Sequence, residues 1–308
     1  MTVLAGASAV VQLGGGLAVS PLLPGLIQHW KARPQGRPGP SPLQPYRDLR
    51  RLWRKSAVSP AGATAVYRLA PAVTAAALIC AIAIVPVTGV APDLGVGHDV
   101  LALIGLLALA RFAMTASAWD TASGFSLMGA SRDLTISAFA EVALLLALAV
   151  AALVAGTTSL TGMLAGTVGG HPWSSPALPL GAAAFALVLV AETGRQPFDN
   201  PDTHLELTMI HEGPLLEYAG RDLAYLQWVS AARHWLLLIL AAGLFLPHPH
   251  SAWEQLALLP AEVTALCGAL ALTETLVVKM RILLAPRLLG AAALVALLGV
   301  VARQAGIA

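Results

Sequence analysis

Long runs of apolar residues divide the chain, and short polar segments separate them. A helix needs about 20 such residues to cross roughly 30 Å of hydrocarbon. Runs of approximately this length lie near residues 3–27, 67–90, 97–118, 134–156, 177–196, 229–247, 256–278 and 285–303. The alternating pattern of barrel strands is absent, and lipid offers no water to satisfy open backbone groups. The pattern therefore predicts an all-α membrane protein, a bundle of eight transmembrane helices.

A helix of a different kind is expected directly after the first run. Four large apolar or aromatic residues recur there at helical spacing, namely Tyr46, Leu49, Leu52 and Trp53. The opposite positions are basic, namely Arg47, Arg50, Arg51, Arg54 and Lys55. This pattern predicts an interfacial amphipathic helix that contacts anionic headgroups. The Pro- and Gly-rich residues 34–45 before it cannot be helical, and they form a rigid loop suited to a docked partner.

The Lys and Arg residues set the expected orientation. If the loop from Lys31 to Lys55 is cytoplasmic, all other Lys and Arg residues except Arg303 fall within helices or on the inner side. Both termini are then outside, and the inner loops are 28–66, 117–133 and 197–228. No charge precedes Lys31, so the N-terminus is expected to be a retained helix and not a cleaved signal peptide. No polar stretch could bury its own core, and residues 1–308 are expected to form a single polytopic membrane domain.

Composition supports the membrane assignment and excludes several function classes. The chain is 57% hydrophobic and 11% charged, whereas soluble domains contain roughly 25% charged residues. Cys80 and Cys267 are isolated in apolar runs, which argues against a disulfide framework or a cysteine metal site. No nucleophilic triad, phosphate-binding loop or nucleic-acid module is present. A self-contained active site, a bound metal and nucleic-acid partners are therefore not expected.

The last inner loop concentrates negative charge. Seven of the sixteen acidic residues lie in Ala191–Asp222, AETGRQPFDNPDTHLELTMIHEGPLLEYAGRD. Pro197 should end the incoming helix, and Asn200 resembles an N-cap for a short helix that could run to Glu212. Charge patterning alone leaves two interpretations open: a functional charge cluster, or a solvated loop. In the second, the acids would be balanced by Arg195, Arg221 and Arg233.

A metal site in this loop is a weaker alternative. His211-Glu212 resembles the start of a zinc-protease motif, but Leu215 stands where that motif requires its second His. Without that second ligand, no metal site is expected here.

Charged residues within the apolar runs are costlier than loop charges and therefore more informative. They are Arg111, Glu141, Glu192, Glu262 and Glu274. Such residues normally face the bundle interior, pair with one another and mark routes for protons or ions, although a buried structural pair is the alternative. We expect Arg111 to neutralise Glu141 across helices, and Arg195 to pair with Glu192 along one helix.

Several stretches resemble a known family. The third-loop sequence is similar to the signature loop of the membrane anchor subunit of formate hydrogenlyase-type (group 4) [NiFe] hydrogenases, which is similar in turn to subunit 1 of respiratory complex I. The resemblance extends to RPGPSPLQPYRD at 37–48, DTASGFSLMGASRD at 120–133 and ETLVVKMR at 274–281. NPDTHLELTMIHE, residues 200–212, resembles the hydrogenase branch, whereas Phe198 resembles the complex I branch.

The resemblance implies a non-catalytic membrane subunit of an oxidoreductase complex in the plasma (inner) membrane of a prokaryote. Expected partners are [NiFe] hydrogenase large-subunit-like and small-subunit-like proteins, a ferredoxin-like iron-sulfur protein and antiporter-like membrane subunits. The [NiFe] and iron-sulfur clusters would lie on those partners, with no cofactor on this chain. The subunit would dock the electron-transfer arm on its inner loops and relay protons or Na⁺. Two alternatives are the quinone-site subunit of a complex I-type NADH:quinone oxidoreductase and a stand-alone secondary ion transporter; a structural anchor without an ion path is a third.

These considerations select two sets of candidate residues. The expected proton or ion path consists of Glu141, Glu192, Glu262, Glu274 and Arg111. The expected charge cluster at the arm interface consists of Arg195, Asp199, Asp202, His204, Glu206, His211, Glu212, Glu217, Arg37, Asp48, Asp120, Arg132, Asp133, Lys279 and Arg281.

Overall fold

The computed structural model describes residues 2–88, 98–168, 173, 175–199 and 209–306. Within these residues the chain is helical and contains no strand. The α-helices are α1 Thr2–Gly14, α2 Leu22–Ala32, α3 Gln44–Trp53, α4 Ala65–Ile84, α5 Val100–Asp120, α6 Gly124–Ala155, α7 Leu160–Gly166, α8 Ala177–Glu192, α9 Gly220–Phe245, α10 Ala252–Leu276 and α11 Ala285–Gln304. The all-α prediction is confirmed.

Six helices in the described part of the chain are long and apolar enough to cross a membrane, namely α4, α5, α6, α9, α10 and α11. A seventh span results if α1 and α2 are counted as one broken helix. Helix α8 is apolar but only 16 residues long. The chain is thus a multi-pass membrane protein.

The first apolar run is not one straight helix. Residues Ala5–Val19 and Leu22–Ala32 are bent by 60° relative to each other. Pro21 lies at the break and Pro24 follows it in α2. Proline has no backbone N–H to donate and its ring crowds the preceding turn, so the helix cannot continue straight.

The second inner loop is shorter than predicted. Only residues 121–123 separate α5 from α6, so most of the loop placed at 117–133 is the first part of the 32-residue helix α6. The serines and glycines of this stretch resembled a loop, but tertiary packing outweighs their weak local preference. The short helix α7 was not predicted.

The helices approach one another closely because many buried positions carry small side chains. Helix α4 packs on α5, and α6 packs on α8 and α11. Ala140, Ala143 and Ala147 lie at one-turn spacing on α6 and are fully buried, and Ala184 faces the interior from α8. Close packing of small residues stabilises helix association in membranes, where the hydrophobic effect between helices is weak.

Helix α3 lies against α9, with none of its residues buried. The rings of Trp53 and Tyr225 are 4.7 Å apart, and the Tyr46 hydroxyl donates to the carbonyl of Ala18 at 2.5 Å. These contacts place α3 across the bend of the first run. Its basic residues stay exposed or half-buried.

Candidate functional site

Arg111, near the middle of α5, joins two carboxylates from neighbouring helices. Its Nη1 donates to Glu141 Oε1 of α6 at 2.6 Å, and its Nη2 donates to Glu192 Oε2 of α8 at 2.5 Å. Arg233 of α9 adds a second cation, with Nη1 3.5 Å from Glu192 Oε2. The side chains of Arg111 and Glu192 are 5% and 4% exposed. Because unpaired charges are very costly in this environment, the four groups stabilise one another as a unit.

A second buried cluster centres on Glu274 at the end of α10. Arg195 Nη1 donates to Glu274 Oε1 at 2.8 Å, and Lys31 Nζ lies 3.0 Å from Glu274 Oε2. The Glu274 side chain is completely buried. One carboxylate is thus held between two cations, which come from the end of the first run and from the loop after α8.

A third cluster surrounds His211 in the described part of the third loop. The imidazole lies 3.6 Å from Asp133 Oδ1 of α6 through Nε2 and 3.6 Å from Asp199 Oδ2 through Nδ1. Asp199 also accepts from the backbone N–H groups of Ile210 and His211, and Lys279 Nζ donates to it at 3.1 Å. Asp199 therefore joins both ends of the described loop to the segment after α10.

The surroundings of His211 favour its charged form. Burial lowers the pKa of His211, but the contact with Asp199 and the negative charges of Asp133, Asp199 and Glu192 outweigh burial and raise the pKa above its ordinary value.

Two glycines fix the position of this loop against α6. A Cβ at Gly129 would lie 2.5 Å from the Cα of Gly213, and the reverse substitution meets the same obstacle. Gly194 has φ of +63°, a conformation that side chains disfavour, and it brings the backbone next to the His211 ring. The close approach of Gly213 to α6 carries His211 to Asp133.

Together the three clusters form what we call the charged network. It contains five carboxylates, five cationic side chains and one histidine: Glu141, Glu192, Glu274, Asp133, Asp199, Arg111, Arg233, Arg195, Lys31, Lys279 and His211. With every carboxylate ionised, the network is neutral when His211 is neutral and carries one positive charge when His211 is protonated. The network extends from the loops at one end of the bundle, the charged end, to the middle of α5 and α9.

A cavity of about 620 Å³ adjoins the network. Its walls come from α2, α3, α9 and the third loop, and they include Arg195, Asp199, His211 and His234. Pro21, Pro24, Pro45 and several leucines supply the apolar part of its lining. A pocket of this size, apolar with a few converging polar groups, has the character of a small-molecule site.

The structure corrects one predicted pairing and confirms another. Arg111 does contact Glu141, as expected, but Arg195 pairs with Glu274 and not with Glu192. Helix α8 ends at Glu192, and the turn after it, with Gly194 at positive φ, directs Arg195 towards α10. Arg195 is therefore not on the same helix as Glu192, and the pairing of residues three apart along one helix cannot form.

The solvated-loop interpretation is wrong for the described residues that it relied on most. Arg195 is buried against Glu274 and Arg233 is half-buried against Glu192, so neither balances the loop in solvent. The predicted helix does not extend to Glu212, because residues 209–212 are non-helical. Asp202, His204 and Glu206 lie outside the described residues.

The other predicted interface residues lie around the network and not in it. Asp120 accepts from the backbone N–H groups of Thr64 and Tyr67 at the start of α4, and Arg132 Nη1 donates to the carbonyl of Met209. Asp48 pairs with Arg51 within α3 and lines the cavity, as does Glu212. The rest are at the surface or half-buried: Arg37, Glu217 and Arg281. Glu262 is about midway along α10, twelve residues before Glu274.

Sequence reasoning used Lys31 to orient the helices, and it used Arg233 for the same purpose and as a cation that could balance a solvated loop. It missed the ion pairs of both residues. Arg233 lies within an apolar run, as the predicted path residues do, and Lys31 lies just after one; this was the available signal. Among the described residues, no three His, Cys, Asp or Glu side chains converge in a geometry that could hold a metal ion.

The chain is similar to known proteins along most of its length. A family model described as NADH dehydrogenase matches residues 8–303. Formate hydrogenlyase subunit 4 of Escherichia coli is 35% identical over 284 residues, which cover 88% of this chain and 90% of that protein. Hydrogenase-4 component C of Escherichia coli is 36% identical over 234 residues, which cover 75% of this chain and 72% of that protein.

More distant relatives are similar in sequence or in fold. NADH-quinone oxidoreductase subunit 8 of Rhodothermus marinus is 31% identical over 201 residues, covering 64% of this chain and 58% of that protein. A chain of the membrane-bound sulfane sulfur reductase, an archaeal respiratory membrane complex, superposes with a TM-score of 0.81 at 20% identity, covering 96% of this chain and 98% of its own. The first match is in sequence, and the second is a likeness of fold. The chain therefore belongs to the NADH dehydrogenase family, as a membrane subunit of the complex I subunit 1 type.

Proposed function

We propose that this chain is the membrane anchor and ion-coupling subunit of a membrane-bound [NiFe] hydrogenase or formate hydrogenlyase-like complex. The names of the two Escherichia coli relatives support this assignment over a stand-alone transporter. In this proposal, eight spans lie in the plasma membrane of a prokaryote with both termini outside. Helix α3 lies in the inner interface with its arginines at the headgroups.

The inner loops 28–66, 117–133 and 197–228 would form the docking surface for the peripheral arm. This surface would contact the hydrogenase large-subunit-like and small-subunit-like proteins and a ferredoxin-like iron-sulfur protein, which carry the clusters. Antiporter-like subunits would lie beside the bundle in the membrane. The charged residues of the docking surface would be those around the network, with Arg37, Asp48, Asp120, Arg132, Glu212, Glu217 and Arg281 outermost.

One observation carries the coupling role: the charged network extends from the loop surface to the middle of α5 and α9. His211 is placed to respond to the arm, since it lines the cavity and contacts Asp133 and Asp199. A change of charge in the arm would alter the proton affinity of His211 first. Glu192, whose charge acts on His211, would respond next, followed by Arg111 and Glu141.

The experiment replaces the two carboxylates on Arg111 in the assembled complex. We expect Glu141→Gln and Glu192→Gln to abolish proton translocation in vesicles while the subunits still co-purify with the tagged chain. Glu254→Gln, an exposed acid at the start of α10, is the matched control and should translocate normally. Normal translocation in both network variants would contradict the proposal.

A second candidate function follows from the cavity. Its volume of about 620 Å³ and its mixed lining would suit a quinone headgroup, as expected of a complex I-type quinone-site subunit. The two candidate functions can be distinguished by the electron acceptor that the complex uses. Hydrogen evolution without added quinone supports the hydrogenase assignment, whereas activity that requires quinone and falls when the cavity is narrowed by Ala231→Trp supports the alternative.

A further inference from the structure

A second buried acid and base lie far from the charged network. Glu262 is on α10, twelve residues before Glu274 and thus about 18 Å away along the helix axis. His248 follows the end of α9, at the end of the bundle opposite the charged end. Its Nδ1 is 3.6 Å from Glu262 Oε1, and the two side chains are 8% and 14% exposed.

The hydrogen bonds of His248 determine what can lie between the two groups. Its Nε2 is 3.0 Å from the carbonyl oxygen of Ala242, which can only accept, so Nε2 carries the hydrogen. In a neutral imidazole Nδ1 is then an acceptor. It faces a carboxylate oxygen, which is also an acceptor when Glu262 is ionised. Two acceptors in this position repel each other unless one proton lies on either His248 or Glu262.

Within the described part of the chain, no other charged group contacts His248 or Glu262 to resolve this conflict. Among the described residues, Glu262 Oε2 and His248 Nδ1 are buried without a hydrogen-bond partner. Within the same part of the chain, the salt bridge between Glu262 and His248 is the only one that either residue makes. The other described titratable groups near the end of α9 are hydrogen-bonded elsewhere or exposed. His98 bonds to the carbonyl of Ile84, Asp99 accepts from the N–H of Leu101, and Glu254 is exposed.

The local structure holds His248 in place and keeps it near solvent. Gln255 of α10 donates to the carbonyl of Pro249, which ties the segment after α9 to α10. The adjacent residues Pro247 and His250 are exposed. A proton therefore needs to move only a short distance between water and the imidazole.

We propose that His248 and Glu262 form a proton-binding site that holds one exchangeable proton at the end of the bundle opposite the charged network. The pair is neutral with its proton and carries one negative charge after releasing that proton to water, and uptake reverses this step. Its use in translocation rests on the proposed function, since the site would exchange protons with the side of the membrane that the network does not face.

The test uses the full-length tagged chain purified with its co-purifying subunits. Infrared difference spectra between two pH values, in H₂O and D₂O, report protonation of carboxyl and imidazole groups. We expect a carboxyl or imidazole difference signal that is lost in both Glu262→Gln and His248→Gln and kept in the exposed control Glu254→Gln.

The two variants are chosen to preserve the fold. In Glu262→Gln the new amide can donate to Nδ1 of His248, and in His248→Gln the new amide can replace the donation to the carbonyl of Ala242. The same spectrum in wild type and both variants would overturn the site. So would a loss of thermal stability in both variants without any change in that spectrum, which would indicate a structural contact.

Translocation measured on the same preparations separates this inference from the proposed function. If Glu141→Gln blocks translocation and the infrared signal does not depend on Glu262 or His248, the site is refuted and the coupling role stands. If Glu141→Gln translocates normally, the coupling role fails, and the infrared signal still decides whether the pair binds a proton.

Discussion

Helix α10 carries two carboxylates in contrasting surroundings. Glu274, at the charged end, is completely buried between the cationic side chains of Arg195 and Lys31. Glu262, about midway along the same helix, has His248 as its one ion-pair partner among the described residues. The same side chain on the same helix thus lies between an arginine and a lysine in one position and, in our proposal, shares a proton with a histidine in the other. The partner, more than burial, decides whether a membrane carboxylate is structural or titrating.

The largest expected effect is a difference in protein stability when each of these two carboxylates is replaced by an amide. Glu274→Gln would remove the buried carboxylate that Arg195 and Lys31 contact, at a cost of about 3–5 kcal/mol. Glu262→Gln should cost less than about 1 kcal/mol, because the new amide can donate to His248. Thermal unfolding of the two variants in detergent measures the difference. Equal losses would show that the two environments do not differ in this way.

A smaller effect tests whether the charged end depends on a rigid loop position. Gly129→Ala would place a Cβ 2.5 Å from the Cα of Gly213 and displace the loop that carries His211, at about 1–3 kcal/mol. Gly124→Ala is the control on the same helix, since its Cβ would meet no atom within 4 Å. If the two alanine variants unfold at the same temperature, the close packing of the loop on α6 does not stabilise the network.

The smallest effect concerns the single histidine of the network. Since the pKa of His211 is raised above 6.5 in the folded state, its charge stabilises the fold fully below about pH 6.5. This contribution is lost as pH rises through the folded-state pKa. The stability difference between wild type and His211→Gln should therefore shrink as pH increases, whereas His250→Gln, at an exposed position, should show no such trend. If the stability difference between wild type and His211→Gln does not vary with pH, His211 is not the titrating group.

Several features of the site followed from the sequence because their causes are local. Glu141 and Arg111 interrupt apolar runs, and a charge in such a run must find a partner inside the bundle, so their contact could be predicted. The Pro-rich segment and the basic face of α3 were also visible as patterns. The resemblance of the third loop identified the family before any geometry was known.

Other features required the folded chain. Nothing in the sequence distinguishes Glu192 from Glu274 as the partner of Arg195, because the choice depends on the turn at Gly194 and on where α10 ends. Lys31 reaches Glu274 only because the first run is bent at Pro21. The extent of α6 was also misjudged, since packing outweighs the loop-like composition of its first turns.

The sequence by itself therefore determined that the chain is a helical membrane protein and to which family it belongs. It also determined which charged residues lie within the apolar runs. These depend on hydropathy and residue type, which each segment carries independently of the others. Only the tertiary structure decided which charges meet, because an ion pair requires side-chain atoms from distant segments to lie within about 4 Å. It thereby separated Glu274, locked between two cations, from Glu262, which faces a histidine.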